Sequence, residues 1–285
     1  MPRAIKLEDG RYGARAVLTA PWSDSLMLLL EQHGVVEIEL NMAKGWMGND
    51  LSFLKRLPHL KALEVLDLRP SLKSIEPIHA LHALKSLGVT TYCPTKIDFA
   101  AFPLLEECSL EWGKRECQSL FACTSLKNLF VNRYPGDSIT PFTRLSSLES
   151  LTILNSPINS LVGLGSLNGL RKLRLGMLRK LGSLAGIEGL SQLEELAIET
   201  CKQINSIDAV GALMRLKKLT LGNIGEIESL RVLRRLHALE WVCFPESTSV
   251  LDGDLSPLVQ LKNLRRVSFQ NRRHYSHRRE DFGVR

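Results

Sequence analysis

The sequence predicts an α/β solenoid: a right-handed, curved coil of short repeats, with a parallel β-sheet along its concave face and 3₁₀ or short helical turns along its convex face. Three observations predict it. A string of the form L-x-x-L-x-L recurs eleven times at intervals of 21 to 28 residues. The L-x-L part of each string has the alternation of a half-buried strand. Between strings the apolar residues fall at every third position, which suits tight turns presenting one side inward.

The strings, with Val, Ile, Phe or Cys allowed at apolar positions, begin at Val35, Leu63, Leu84, Leu105, Leu126, Leu148, Leu170, Leu193, Leu216, Leu239 and Leu264. The step of three is clearest after Ile153, where Ile158, Leu161, Leu164, Leu167, Leu170 and Leu173 run into the next strand, and it recurs from Ile204 to Leu219 and from Ile227 to Val242. No single unit of this size buries its own leucines, so each must stack on its neighbours.

The unit length and the I-x-x-L-x-x-L-x-x-L second half resemble the short class of leucine-rich repeats seen in phosphatase-regulatory subunits and bacterial internalins, over roughly residues 35–270. That resemblance implies a fold and says little about activity. Members of the family usually carry Asn three residues after the last strand leucine. Here the column reads Ala43, Ser71, Tyr92, Gly113, Tyr134, Ser156, Leu178, Cys201, Ile224, Ser247 and Arg272, so the turns must satisfy their backbone groups by other means.

A solenoid needs covers for its two ends. Residues 1–34 are expected to form the N-terminal cap, with an outer strand in residues 14–20 and a helix in residues 23–33. That helix would have Ser23 or Asp24 as N-cap, Leu26, Leu29 and Leu30 on one face, and Gly34 as its stop. Residues 35–271 make the solenoid. Residues 272–285 read as a basic tail, disordered or ordered by a partner.

The composition, 44% hydrophobic and 24% charged, excludes a disordered chain. No apolar run reaches the roughly 18 residues of a membrane span. Charges at Arg3, Lys6 and Glu8 fall where a secretory signal would be apolar, and six cysteines show no C-x-x-C pair or framework spacing, so a cytoplasmic site is expected. The net charge of +7 is concentrated at one end: from Lys262 onward there are eight basic and two acidic residues, which supplies +6 of it.

Catalysis needs reactive groups held in a pocket, and a repeat sheet with small loops offers few. There is no P-loop, G-x-S-x-G or H-E-x-x-H. Gly163 and Gly165 flank a ladder leucine and read as turn residues, the pairs His79/His82 and His274/His277 as surface histidines without a third ligand, and Cys93, Cys108, Cys117 and Cys123 as core packing. No catalytic activity, metal or cofactor is expected.

The outward side chains of the sheet are what such a fold offers to a partner. Arg69, Glu111, Trp112, Phe130, Arg133, Asn155, Arg174, Met177 and Glu199 are the candidate protein-binding residues, with Trp112, Phe130 and Arg133 as anchors because large aromatics and Arg dominate interface energetics. Trp46, on the insertion spanning residues 42–50, is a second contact point. The expected function is non-catalytic binding of an unidentified protein partner through the concave face, by a monomer or in a 1:1 complex, as a regulatory subunit or an antidote in the manner of bacterial immunity proteins. Two alternatives stand beside it: nucleic-acid binding through the Arg-rich end, with Tyr275 free to stack on a base, and an exported effector that binds a host protein.

Overall fold

In an L-x-x-L-x-L string the two leucines one residue apart share a face, so a strand built on them buries both and exposes what lies between. The computed structural model of the protein, which describes residues 4–70, 72–245 and 247–283, shows this arrangement along the chain. Leu170, Leu173 and Leu175 are buried while Lys172 and Arg174 stand exposed. The chain divides into two units, Met1–Val131 and Asn132–Arg285, each built from the same coil.

In the first unit, β1 (Ile5–Asp9) and β2 (Ala14–Leu18) form an antiparallel hairpin, followed by α1 (Ser25–Gln32) and then the parallel strands β3 (Val35–Asn41), β4 (Ala62–Asp67), β5 (Ser86–Thr91) and β6 (Glu107–Glu111). β2 pairs parallel to β3 and so joins the hairpin to the sheet. The return segments contain 3₁₀ turns at Ser52–Arg56, Glu76–Ala80, Phe99–Ala101 and Gln118–Ala122, where the step of three places them. β7 (Asn128–Asn132) spans the division.

The second unit continues with β8 (Ser150–Leu154), β9 (Lys172–Gly176), β10 (Glu195–Glu199), β11 (Lys218–Gly222), β12 (Glu226–Ile227), β13 (Trp241–Phe244), β14 (Ser249–Val250) and β15 (Arg266–Phe269). β8, β9, β10, β11, β13 and β15 pair in that order, all parallel, and β12 and β14 form a separate two-stranded ribbon. Its 3₁₀ turns lie at Thr140–Arg144, Leu164–Ser166, Asp208–Ala212 and Arg231–Arg235, with a short helix α2 (Ser256–Val259) in the last return.

The register of β4 differs from the sequence expectation. Leu63 pairs with Ile38 and Leu87, and Val65 with Leu40 and Val89, so the string that buries its leucines is Leu60, Leu63, Val65. Leu66 and Leu68 lie on the other side of the strand. Both strings satisfy the pattern, but they differ by three residues, and an odd slip turns every side chain to the opposite face. With Leu60 as the start, the intervals on either side become 25 and 24 in place of 28 and 21.

At the N-terminal end, β1 is a strand that the sequence reading did not foresee, although Ile5 and Leu7 alternate with Lys6 and Glu8. Helix α1 buries Leu26, Met27 and Leu30 and stops at Gly34, whose φ of 57° lies in the left-handed region that glycine enters without strain. Leu29, expected on the buried face, is exposed, because the inner face of α1 runs through Leu26, Met27 and Leu30 and Met27 takes the place that Leu29 was expected to fill. At the C-terminal end, residues 272–283 are held by the chain's own coils. The Val250 N–H donates to the Tyr275 hydroxyl (3.0 Å), the Leu255 N–H to the Ser276 hydroxyl (2.9 Å), and the Tyr275 ring packs edge-on against Phe269. Residues 1–3, Ser71 and Arg285, on which the signal, turn-column and tail readings touched, lie outside the described residues.

Without the asparagine column, different groups bond the turn backbones. Thr248 donates its hydroxyl to the Leu221 carbonyl (2.7 Å) and accepts from the Ile224 N–H, and the Cys201 thiol donates to the Glu199 carbonyl (3.5 Å). In the first unit, the buried Arg115 guanidinium donates to three carbonyls, those of Thr91 (2.8 Å), Cys93 and Glu111. Burial pushes its pKa down.

Candidate functional site

The two units present their outward sheet faces differently. In the first, the tip of the β1–β2 hairpin folds over its own sheet. The Tyr12 N–H donates to the Glu37 carboxylate, Arg11 pairs with Glu107 on β6, and the Tyr12 ring lies under both the Arg11 guanidinium (5.6 Å) and the Lys85 ammonium (5.9 Å). Beside it, Arg15 bridges Glu39 and Glu64, and Lys44 reaches Glu39 at 2.8 Å. These contacts explain why Glu37 and Glu39, outward on β3, are buried. Burial alone would raise the Glu39 pKa, and the hydrogen bonds of Lys44, Asn41 and Arg15 outweigh it, so the carboxyl is held low.

In the second unit the outward face is open. A shallow depression of about 260 Å³ crosses its strands, lined by Thr152, Lys172, Arg174, Lys218, Thr220 and Trp241 among others. Lys172 and Lys218 flank Glu195 at 3.6 and 3.1 Å, and Arg174 pairs with Glu199 at 2.6 Å. The Arg266 guanidinium sits 5.4 Å over the Trp241 ring and has no carboxylate partner among the described residues. The Trp241 indole N–H is buried without an acceptor, a state that costs free energy until something accepts from it. Across this face four cations, Lys172, Arg174, Lys218 and Arg266, stand against two carboxylates, Glu195 and Glu199.

A second row of charge runs along the positions just before the strands. Glu149, Arg171, Glu194, Lys217, Glu240 and Arg265 alternate in sign, and each backbone N–H bonds the carbonyl of the one before it at 2.8–2.9 Å. Glu194 is gripped by Lys217 at 2.8 Å and by Arg171, which together hold its pKa down at about 2. The backbone bonds along this row hold neighbouring coils in register, and the opposite charges at Arg171, Glu194 and Lys217 pair across them.

The residues singled out from the sequence fall into three groups. Arg174, Met177 and Glu199 lie on the open face of the second unit, and Phe130 is half-exposed on β7. Arg133, Asn155 and Met177 are, with Thr200 and Asn223, the five non-glycine residues of positive φ among the described residues, 52° to 61°, and they occupy one column just after the strands. Their N–H groups bond the next coil, as Asn155 does with the Gly176 carbonyl (3.0 Å) and Met177 with that of Glu199 (2.8 Å). Geometry therefore accounts for their outward pointing.

Trp112, Trp46, Glu111 and Arg69 are not where the sequence reading put them. Trp112 is 1% exposed, since at β6 the left-handed turn comes one residue later, at Gly113, and the preceding side chain swings inward onto Phe121. Trp46 is likewise buried, against Phe53, and leaves Met47 as the exposed large hydrophobic residue of the insertion. Glu111 is buried at the end of β6. Arg69 is half-buried and bonds Asp67, the Trp46 carbonyl and the Met47 sulfur. Tyr275, taken as free to stack, is engaged with Val250 and Phe269.

Lys172 and the alternating ladder were missed, yet the signal for both is in the sequence: aligning the strings column by column exposes the sign alternation. Among the described residues, no group of three or more His, Cys, Asp or Glu is placed to hold a metal, and no helix is long and apolar enough to cross a membrane.

These stacked parallel strands and 3₁₀ returns define a leucine-rich-repeat fold, and the solved structures agree. An internalin of Listeria monocytogenes, InlF, superposes with a TM-score of 0.61 at 21% identity, over 80% of this chain and 67% of that one. The functional domain of InlJ from the same organism gives 0.55 at 16% identity, over 85% and 61%. The Arabidopsis receptor kinase HAESA, solved with the peptide hormone IDA and the co-receptor SERK1, gives 0.52 at 18% identity, over 84% and 46%. The chain thus spans about half to two thirds of the length of these neighbours. No family model and no curated protein matches it.

Proposed function

We propose that the chain is a non-catalytic binding module that takes a protein partner on the outward sheet face of its second unit, and that it regulates or neutralises that partner as an inhibitor or immunity protein does. The observation that carries this reading is the depression at Trp241. Its lining joins the half-buried Trp241 to Lys172, Arg174 and Lys218, and the Arg266 guanidinium lies over the Trp241 ring. Aromatic and Arg side chains in a partly desolvated recess are the usual anchors of protein interfaces. The excess of cations favours a partner surface that brings carboxylates to meet them. HAESA, bound to a peptide hormone and a co-receptor, is an example of the same fold engaging protein ligands.

The test is capture of the native partner on immobilised protein, followed by affinity measurement with Trp241→Ala and Lys172→Glu, and with Arg234→Glu on a return segment as control. The first two should each weaken the complex at least about tenfold, or about 1.4 kcal/mol, and the control should leave it unchanged. Equal affinities across the three variants would place the partner elsewhere. A steep loss of affinity with salt, together with co-purifying nucleic acid, would favour phosphate recognition instead.

A further inference from the structure

β1 carries a strand edge that is open among the described residues. β1 is the first strand of its sheet, and among the described residues nothing pairs with its other side. The hairpin fixes which backbone groups point to that side. The Gly10 N–H bonds the Gly13 carbonyl and the Thr19 N–H bonds the Ala4 carbonyl, so the even-numbered residues face β2. In an antiparallel ladder the hydrogen-bonded pairs alternate, so the N–H and C=O groups of Ile5, Leu7 and Asp9 point to the open edge.

The side chains add a groove. Ile5 and Leu7 pair with Leu18 and Ala16 and share their inward face. Instead of closing over a core, that face opens into a trough of about 660 Å³ lined by Ile5, Leu7, Leu26, Leu29 and His33. Leu7 is 40% and Leu29 38% exposed. An apolar trough beside an open strand edge is an adhesive surface.

We propose that this surface is a homodimer interface in which β1 pairs antiparallel with β1 of a second copy, centred on Leu7. Charge complementarity selects both the partner and the register. Only odd-numbered residues offer backbone groups, so the pair sums run in steps of two. Moving the centre one way sets Lys6 against Lys6, and moving it the other way sets Glu8 against Glu8, each a like-charge contact that destabilises. With Leu7 on the two-fold axis, Lys6 faces Glu8 of the other copy twice and Leu7 faces Leu7. All three edge residues then exchange backbone bonds, and the two troughs merge into one apolar strip. Such an isologous contact closes as a dimer and covers the open edge of β1 in both copies. The Lys6–Glu8 pair already present within the strand, at 2.6 Å, becomes half of a four-charge cluster.

Sedimentation velocity of the full chain up to about 100 µM, a range that covers micromolar affinities, tests this. The parent should dimerise. Lys6→Glu and Glu8→Lys should each weaken the dimer at least about tenfold, and the double exchange Lys6→Glu/Glu8→Lys, which restores opposite charges across the axis, should recover it. Hydrogen exchange provides a readout without substitutions: the amides of Ile5, Leu7 and Asp9 should gain protection as concentration rises. A parent that stays monomeric, a dimer indifferent to the single exchanges, a double exchange that fails to restore it, or amides at 5, 7 and 9 that exchange equally at all concentrations would overturn the proposal.

Discussion

Arg69 grips Asp67 with two side-chain bonds, Nε to Oδ1 at 2.9 Å and Nη2 to Oδ2 at 2.7 Å, and the Arg69 backbone N–H adds a third to Oδ1 at 3.0 Å. The Asp67 side chain is fully buried. The same guanidinium reaches the Trp46 carbonyl at 3.1 Å, so a single ion pair ties the end of β4 to the insertion at residues 42–50. The two residues are two positions apart in the string Asp67-Leu68-Arg69, and the reach is possible because Leu68 turns out to solvent between them.

Removing the cation leaves a buried carboxylate uncompensated, so Arg69→Met should cost about 3 kcal/mol, the lower end for broken buried pairs because Arg69 itself is partly exposed. Burial opposes the charged form of Asp67, but the Arg69 side chain and N–H outweigh it and hold the carboxyl below its ordinary range. A folded pKa below the unfolded value means that the contribution is complete above about pH 4 and is lost as pH falls through the folded pKa. Urea midpoints at pH 7 and pH 3 should therefore differ less for Asp67→Asn than for the parent. An unchanged acid dependence would assign the acid loss to other groups.

Thr200 has a φ of 56°, a left-handed conformation that a β-branched residue resists at a cost of about 1–3 kcal/mol. Its column holds Asn at 155 and 223, the side chain that tolerates this region best after glycine. Thr200→Asn should raise stability by about 0.5–1 kcal/mol, a fraction of that strain, read as a shift of the denaturant midpoint at constant slope. A loss would mean that the 3.4 Å bond between Asn223 and the Thr200 hydroxyl contributes more than the strain takes away.

The repeat was legible because each coil restates it: leucines 21 to 25 residues apart and a step of three leave one stacked arrangement. What the pattern did not specify is where a coil departs from its neighbours. Two overlapping strings around Leu63 are equally good on paper, and only pairing with Ile38 and Leu87 selects between them. Trp112 looks like an outward residue because its column points outward in five later coils, and it turns in because Gly113 takes the left-handed position one step late. The open face was readable at Arg174 and Glu199, where the coils are regular. The hairpin covering the first unit was not, since the contact between Arg11 and Glu107 joins residues 96 apart.

Trp112 is now expected to stabilise the fold. It is buried against Phe121, with ring centroids 5.7 Å apart, so Trp112→Ala should cost about 3–5 kcal/mol, the range for large-to-small aromatic changes in a core. Thermal melting measures it. A variant that melts like the parent would return Trp112 to the surface and to the list of contact residues.

Cys93, Cys108, Cys117 and Cys201 are sealed in the coils, while Cys123, on a return segment, and Cys243, on the open face, are half-exposed. Burial raises the pKa of Cys117 to about 12 and of Cys123 to about 11, and raises those of Cys108 and Cys201 as well. At pH 8 a thiol of pKa 11 is about one part in a thousand thiolate, and the thiolate is the reactive form. Cys243 is half-exposed on β13 between Thr220 and Ser268 of the adjoining strands, two residues from Trp241 and on the same face. A maleimide should therefore label Cys243 at least about a hundredfold faster than Cys108 or Cys117, because reaction requires both access and thiolate, and peptide mapping will show which residue carries the adduct. Rapid labelling of Cys117 in the native protein would mean that the coils around Arg115 open. A bulky adduct at Cys243 fills the face beside the Trp241 recess, so it should block the captured partner as Trp241→Ala does. Full binding by the labelled protein would exclude this face as the docking surface.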